Sequence, residues 1–229
     1  HRFTWTFGRD VGQGLDFTRV MVFDGQGFMV RKKLGVKSGM ELDGATFCLT
    51  TGATTEANVS DFFRVHGMKF KQVTFGSMGE AQKAYDQGRC DVFVTDKFGL
   101  GARRLAMTNP NDHIILPETI SNEPISPMVA HGDQVWKDIV VWTLNAIISA
   151  EELGITSKNI DQMRNDAKNP FVQRLLGKTG KFGSKIGLGN EWAYRAIKAV
   201  GNYGEIWDKH LGKNGLGMPR GKNELYTNG

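Results

Sequence analysis

The chain has 229 residues, 40% of them apolar, which is enough for one large domain or two modest ones with a buried core. Its 29 basic and 24 acidic residues give a formal charge of +5 without any long run of one sign, which argues against a nucleic-acid-binding protein. The longest apolar stretch, 139–148, is interrupted by Trp142, Thr143 and Asn145 and is too short to span a bilayer.

The chain begins at His1, without an initiator methionine or a signal sequence, so we expect a processed product, a cloned segment or a fragment. Its first notable motif is Thr-Trp-Thr-Phe-Gly-Arg-Asp at 4–10. The alternating aromatic residues Phe3, Trp5 and Phe7 are predicted to lie in the core rather than to contact a ligand.

A long extended run, 20–30, follows this motif. Gly25 and Gly27 interrupt it, and a glycine inside a strand marks a bulge, a bend or a close backbone approach. We interpret the run as a crossing between two lobes, with a return crossing at 120–128.

Residues 43–116 alternate between short β-rich runs and helical segments. The predicted strands are 45–50, 70–75, 91–95 and 113–116, and the predicted helices are 55–66, 77–87 and 97–107. This βαβαβαβ order predicts a parallel sheet with helices on both faces.

Two polar segments follow neighbouring strands of that predicted sheet. The turn 51–54 follows the first strand and Asp96 follows the third, and ligands of such sheets bind at the carboxyl ends of the strands. Simpler roles stay open, because Thr54 and Thr55 can cap the helix that follows them and Asp96 can cap the next one.

The C-terminal part is predicted to be helical. The helices are 134–152, two that begin at 156–157 and 169–170, and then 191–200 and 203–211. They have no strands of their own to cover, apart from the run 20–30. We therefore predict two lobes: a first lobe made of residues 1–25 and 121–229, and a complete second lobe made of residues 26–120.

The two cysteines, Cys48 and Cys90, fit no zinc-ligand spacing but could form one disulfide bond. Cys48 lies three residues before Thr51, and Cys90 lies six before Asp96. If the two strands end level, the cysteines are staggered by about 10 Å, which is more than a disulfide tolerates. The sequence leaves the bond undecided.

Three groups match the charges of a free α-amino acid. A guanidinium such as that of Arg9 and the helix N-terminus at 51–56 match the carboxylate, and Asp96 matches the ammonium. Arg9 on its own could equally form a surface ion pair. The scattered histidines form no catalytic arrangement, so we predict no catalytic residue, no metal site, no cofactor and no enzyme activity.

Several segments of the chain resemble those of a known protein family. The motif at 4–10 and the segments 85–92, 109–113, 142–144 and 200–206 resemble those of periplasmic solute-binding proteins of polar amino-acid ABC transporters, most closely the general L-amino-acid binding proteins. The resemblance implies a two-lobed α/β fold of the type II periplasmic-binding-protein class, one lobe being only partial here because the usual N-terminal segment is lacking.

The resemblance also implies roles for five residues. Arg9 binds the carboxylate of the ligand with help from Thr4, and Thr54 binds it from the other lobe. Thr51 lines the pocket, and Asp96 binds the ammonium group. Two positions depart from the family pattern: Ala53 lies where the family has a threonine, and Arg2 lies where it commonly has asparagine or serine.

Two functions are therefore considered. The first is a periplasmic protein that captures an L-amino acid, with polar or acidic ligands favoured, between two lobes and delivers it to the membrane permease of an ABC importer. The alternative is a truncated relative that no longer binds amino acids and acts through protein association. A homo-oligomer is expected if the first lobe is incomplete, because exposed apolar faces find partners.

Overall fold

A computed structural model describes residues 2–166, 168–225 and 227. The chain divides into two compact units: unit 1 comprises residues 1–23 and 124–229, and unit 2 comprises Asp24–Glu123. The boundaries expected from the sequence, after residues 25 and 120, differ slightly from these and stay a prediction.

The elements are numbered in chain order. The first are β1 (Arg2–Thr4), α1 (Phe7–Gly12), β2 (Leu15–Phe17) and β3 (Val22–Asp24). Next come β4 (Gln26–Arg31), β5 (Thr46–Thr50), α2 (Thr54–Val65), β6 (Lys71–Phe75), α3 (Met78–Asp86), β7 (Val92–Asp96), α4 (Lys97–Leu105) and β8 (His113–Ile115). The last are β9 (Glu123–Ala130), α5 (Gln134–Glu152), α6 (Ile160–Asp166), α7 (Pro170–Leu175), α8 (Trp192–Val200) and α9 (Tyr203–His210).

Unit 2 contains a mixed five-stranded sheet in the order β6-β5-β7-β4-β8. The predicted parallel pairing of β5 with β7 is confirmed, with Phe47 opposite Val92 and Cys48 opposite Phe93. The four predicted strands run parallel to one another, but the sheet as a whole is mixed, because β4 was not among them and lies antiparallel between β7 and β8. This strand comes from the run 20–30, and it is buried from Gln26 to Val30, as suits a central strand.

Helices cover both faces of this sheet, as predicted. On one face, α2 buries Val59 and Phe63 against an aromatic cluster, where Phe63 meets Phe47 edge to face with ring centroids 5.1 Å apart. On the other face, α3 buries Ala81 and Tyr85 against β4, β5 and β7. The packing of both faces holds the carboxyl ends of β5 and β7 in fixed positions.

Cys48 and Cys90 form a disulfide bond within unit 2, with their Cα atoms 5.6 Å apart. The stagger of the strands does not separate the two cysteines, because Cys90 is not on the strand, which begins at Val92. The chain bends before that point, and the backbone N–H of Asp91 donates to the carbonyl of Thr46 at 2.8 Å. This bend brings Cys90 back beside Cys48.

Because His113 is buried in unit 2, we expect the stability of the protein to depend on pH. The Nδ1 atom of His113 lies 2.8 Å from the hydroxyl of Tyr85. Desolvation lowers the pKa of His113 below 6.5; Arg31 and Arg104 act in the same direction, whereas the carboxylates of Asp86 and Asp112 oppose it. The folded state then binds fewer protons than the unfolded state, so stability falls as the pH drops below the unfolded value.

We therefore expect the free energy of unfolding to fall as the pH drops below about 6.5, as measured by urea denaturation. A His113→Gln variant keeps a polar side chain but cannot titrate, so it should lose the part of this slope due to His113. Parallel pH profiles for the two proteins would contradict the prediction.

Unit 1 contains an antiparallel sheet. β9 pairs with both β1 and β2, and β3 also pairs with β9. The prediction that the C-terminal helices have no strands beyond the run 20–30 is therefore wrong. Three residues in each of β1 and β2 are too few to show an alternating pattern. That this unit is a partial lobe stays a prediction.

Four helices of unit 1, α5 to α8, share one apolar core, and the N-terminal aromatic residues lie outside it. The core is formed by Ala150, Ile155, Ile160, Val172, Leu176 and Ile197. Phe3, Trp5 and Phe7 are 43%, 36% and 83% exposed, so their assignment to the core is wrong. In the described part of the chain, no helix is both long enough and apolar enough to cross a membrane.

Candidate functional site

Arg9 and Thr4 lie together in unit 1. The Nη1 atom of Arg9 donates a hydrogen bond of 3.0 Å to the backbone carbonyl of Thr4, and its guanidinium carbon lies 5.5 Å from the ring centroid of Phe3. Thr4 is buried on β1, opposite Ile125 of β9. Among the described residues, Arg9 forms no ion pair with a carboxylate, so the surface ion-pair alternative does not apply there.

The turn before α2 exposes the start of this helix. Gly52 has a φ of +72°, which favours glycine at this position. Its N–H donates to Oε2 of Glu56 at 3.0 Å. α2 begins at Thr54, and no side chain caps it, since Ala53 occupies the N-cap position. The capping role considered for Thr54 and Thr55 is therefore not observed, and this N-terminus suits an anion.

The hydroxyl of Thr54 belongs to a chain of hydrogen bonds inside unit 2. Its Oγ1 accepts from Nε2 of Gln26 at 2.9 Å. The Nδ2 atom of Asn58 donates both to Oε1 of Gln26, at 3.0 Å, and to Oε1 of Glu123, at 3.2 Å. Sequence reasoning missed Gln26, Asn58 and Glu123. The available signal was Gln26 itself, a polar residue between two glycines in an apolar run.

Asp96 ends β7 and occupies the N-cap position of α4, but its side chain makes no capping hydrogen bond. Asp24 supplies that contact instead, because its Oδ2 accepts from the backbone N–H of Phe98 at 3.1 Å. Burial raises the pKa of Asp24 above its usual value, while backbone hydrogen bonds from Gly25, Phe98 and Lys97 oppose the shift. The sequence left open whether the side chain of Asp96 caps α4, and the structure shows that it does not.

The sheet of unit 2 places these groups at one edge. β5 and β7 are parallel neighbours, so their carboxyl ends lie side by side. Thr51 and Thr54 follow β5, and Asp96 ends β7. Unit 2 thus combines an uncapped helix N-terminus, a threonine hydroxyl and a carboxylate, as a zwitterionic ligand requires.

Comparisons with known proteins identify the family. No protein-family model matches the chain. The chain is 49% identical over 229 residues to the general L-amino acid-binding periplasmic protein AapJ of Rhizobium johnstonii, covering 99% of this chain and 67% of that protein. The chain belongs to the periplasmic amino-acid-binding proteins of ABC transporters. A second member, the glutamate/glutamine/aspartate/asparagine-binding protein BztA of Rhodobacter capsulatus, is 48% identical over 227 residues, which cover 99% of this chain and 67% of that protein.

The fold of this periplasmic binding protein agrees with a solved relative. An ABC-transporter periplasmic binding protein from Brucella ovis, solved with glutathione bound, matches with a TM-score of 0.95 and 45% identity, covering 99% of this chain and 72% of that one. The chain therefore has the predicted type II α/β fold. As a family member it is a transport binding protein of the periplasm and not an enzyme, and the comparisons do not support the non-binding alternative.

Proposed function

We propose that this protein captures polar or acidic L-amino acids through their α-carboxylate and α-ammonium groups. The observation that carries the proposal is the parallel pairing of β5 with β7, because it places Thr54, the uncapped start of α2 and Asp96 at one edge of a buried sheet. Delivery to a membrane permease completes the function that the family performs.

The proposed contacts follow from charge and geometry. Arg9 binds the carboxylate with a two-pronged guanidinium, supported by Thr4. Thr54 donates to the same carboxylate from its hydroxyl, and Thr51 lines the pocket. Asp96 binds the ammonium group. All five residues are proposed ligand contacts.

The names of relatives support a preference for polar or acidic ligands. One relative is called a general L-amino acid-binding protein, another a glutamate/glutamine/aspartate/asparagine-binding protein, and a third was solved with glutathione bound. The γ-glutamyl end of glutathione carries a free α-carboxylate and a free α-ammonium group. The zwitterionic end is therefore the common feature of these ligands, and we propose that this chain recognises it.

Replacing Asp96 tests the ammonium contact. We expect Asp96→Asn to weaken binding of L-glutamate by about 1.5–3 kcal/mol, the usual contribution of a hydrogen bond to a charged group. Calorimetry at the protein's natural length would also use 2-oxoglutarate, which has the carboxylates but lacks the ammonium. Its affinity should fall little or rise in the variant. Equal losses for both ligands, or no loss for either, would contradict this role.

Self-association also stays a prediction. Three apolar side chains on α5, Val135, Trp136 and Trp142, are each about half exposed, at 53%, 51% and 54%. Apolar surface of this kind supports a contact with a second copy.

A further inference from the structure

We propose that Gln26, Asn58 and Glu123 are positioning residues that orient the hydroxyl hydrogen of Thr54 toward the ligand carboxylate. This inference rests on the proposed function, because it assumes that Thr54 contacts the ligand. All four side chains lie in unit 2 and are joined by hydrogen bonds of 2.9–3.2 Å. We refer to them as the Thr54 relay.

The carboxylate of Glu123 sets the direction of the relay. Its Oε1 accepts a hydrogen bond from Asn58, so the amide atom of Asn58 that faces it is the NH₂ group. The same NH₂ group faces Gln26, which must therefore present its carbonyl oxygen to Asn58. The NH₂ group of Gln26 is then left to face Thr54, and it can only donate.

This direction decides what Thr54 can offer to a ligand. A hydroxyl has one hydrogen and two acceptor lone pairs. Gln26 occupies a lone pair of Oγ1 and leaves the hydrogen unused. In the part of the chain that the structure describes, no acceptor for this hydrogen is found. A ligand carboxylate is an acceptor, so the relay prepares Thr54 as its donor.

Burial keeps the relay in this arrangement. Gln26 and Glu123 are each only 2% exposed, so water cannot easily replace their partners. The backbone of Gln26 is fixed as well, because its N–H donates to Oγ of Ser121 at 3.0 Å and its Cα lies opposite Asp96 on β7. A flipped Gln26 amide would place NH₂ against NH₂ at Asn58, which leaves buried donors unpaired.

The test is a double-mutant cycle between Thr54 and Gln26, read by calorimetry with L-glutamate at the protein's natural length. We expect Thr54→Val to weaken binding roughly 10- to 100-fold, as for loss of a hydrogen bond to a charged group. Gln26→Leu should weaken binding roughly 3- to 10-fold, because Thr54 remains but loses its orientation. The double variant should bind about as well as Thr54→Val alone, since Gln26 acts only through this hydroxyl.

Further variants separate positioning from packing. Thr54→Ser keeps the hydroxyl and should keep most of the affinity. Glu123→Gln has almost the same shape but can present NH₂ to Asn58, so it should weaken binding without a matching loss in the melting temperature. Glu123→Gln also tests the relay if Gln26→Leu does not fold. If the losses of Thr54→Val and Gln26→Leu add in the double variant, or if both Gln26→Leu and Glu123→Gln bind normally, the relay is wrong.

The outcomes distinguish this inference from the proposed function. If Thr54→Val itself binds L-glutamate normally, Thr54 is not a ligand contact and the proposed site fails. If Thr54→Val binds weakly but the cycle is additive, the site stands and only the relay fails.

Discussion

Replacing Arg9 by alanine is expected to weaken the binding of L-glutamate by about 2–5 kcal/mol, or roughly 30- to 5,000-fold. The guanidinium is already held in place by the carbonyl of Thr4 and the ring of Phe3. Within the described residues no carboxylate competes for it. Its loss would leave a desolvated ligand carboxylate without its principal countercharge, and isothermal titration calorimetry measures the result.

Two matched variants make the Arg9 experiment specific. Arg9→Lys keeps the charge but loses the two-pronged geometry, so it should recover only part of the affinity. Arg195→Ala removes an arginine whose side chain is 71% exposed and should bind normally. If Arg9→Ala and Arg195→Ala bind L-glutamate equally well, Arg9 has no role in recognition.

The second large effect is on stability. Removing the bond between Cys48 and Cys90, which are 42 residues apart, is expected to lower the free energy of unfolding by about 4 kcal/mol, because the unfolded chain regains the entropy of an open loop. Both cysteines are buried, so alanine at these positions adds a smaller packing loss. Urea denaturation of the Cys48→Ala, Cys90→Ala double variant measures the sum.

Reductant provides the control for the disulfide. The unmodified protein should lose stability when dithiothreitol is added during denaturation, whereas the double variant should not respond. The packing loss is then the difference between the reduced protein and the variant. Equal stability with and without reductant in the unmodified protein would show that the bond contributes nothing.

Sequence pattern predicted unit 2 better than unit 1 for physical reasons. The helices and strands of 43–116 follow from local periodicity, and the pairing of β5 with β7 follows from the usual order of such sheets. The position of β4 could not be predicted in the same way, because its partners β7 and β8 lie far along the chain. In unit 1, β1 and β2 are stabilised by pairing with a distant strand rather than by their own pattern.

The candidate site was likewise only partly predictable from the sequence. Charge chemistry and resemblance selected Arg9, Thr54 and Asp96 without any knowledge of contacts. The relay was missed because Gln26, Asn58 and Glu123 are widely separated in sequence and meet only in the folded sheet.

Two local features could be assigned only from the folded backbone. The disulfide depended on a bend before β7 that periodicity does not reveal. The side chain that caps α4 belongs to Asp24, which is distant in sequence, and not to Asp96, which is next to the helix.

The central claim is that the protein recognises the zwitterionic end of an amino acid. The most direct measurement is a calorimetric titration of the unmodified protein, at its natural length, with L-glutamate, with its α-carboxamide and with 2-oxoglutarate. We predict binding of L-glutamate and at least about tenfold weaker binding of the other two, since each lacks one of the two charged groups. Equal affinity for all three, or no binding of any polar or acidic L-amino acid, would contradict it.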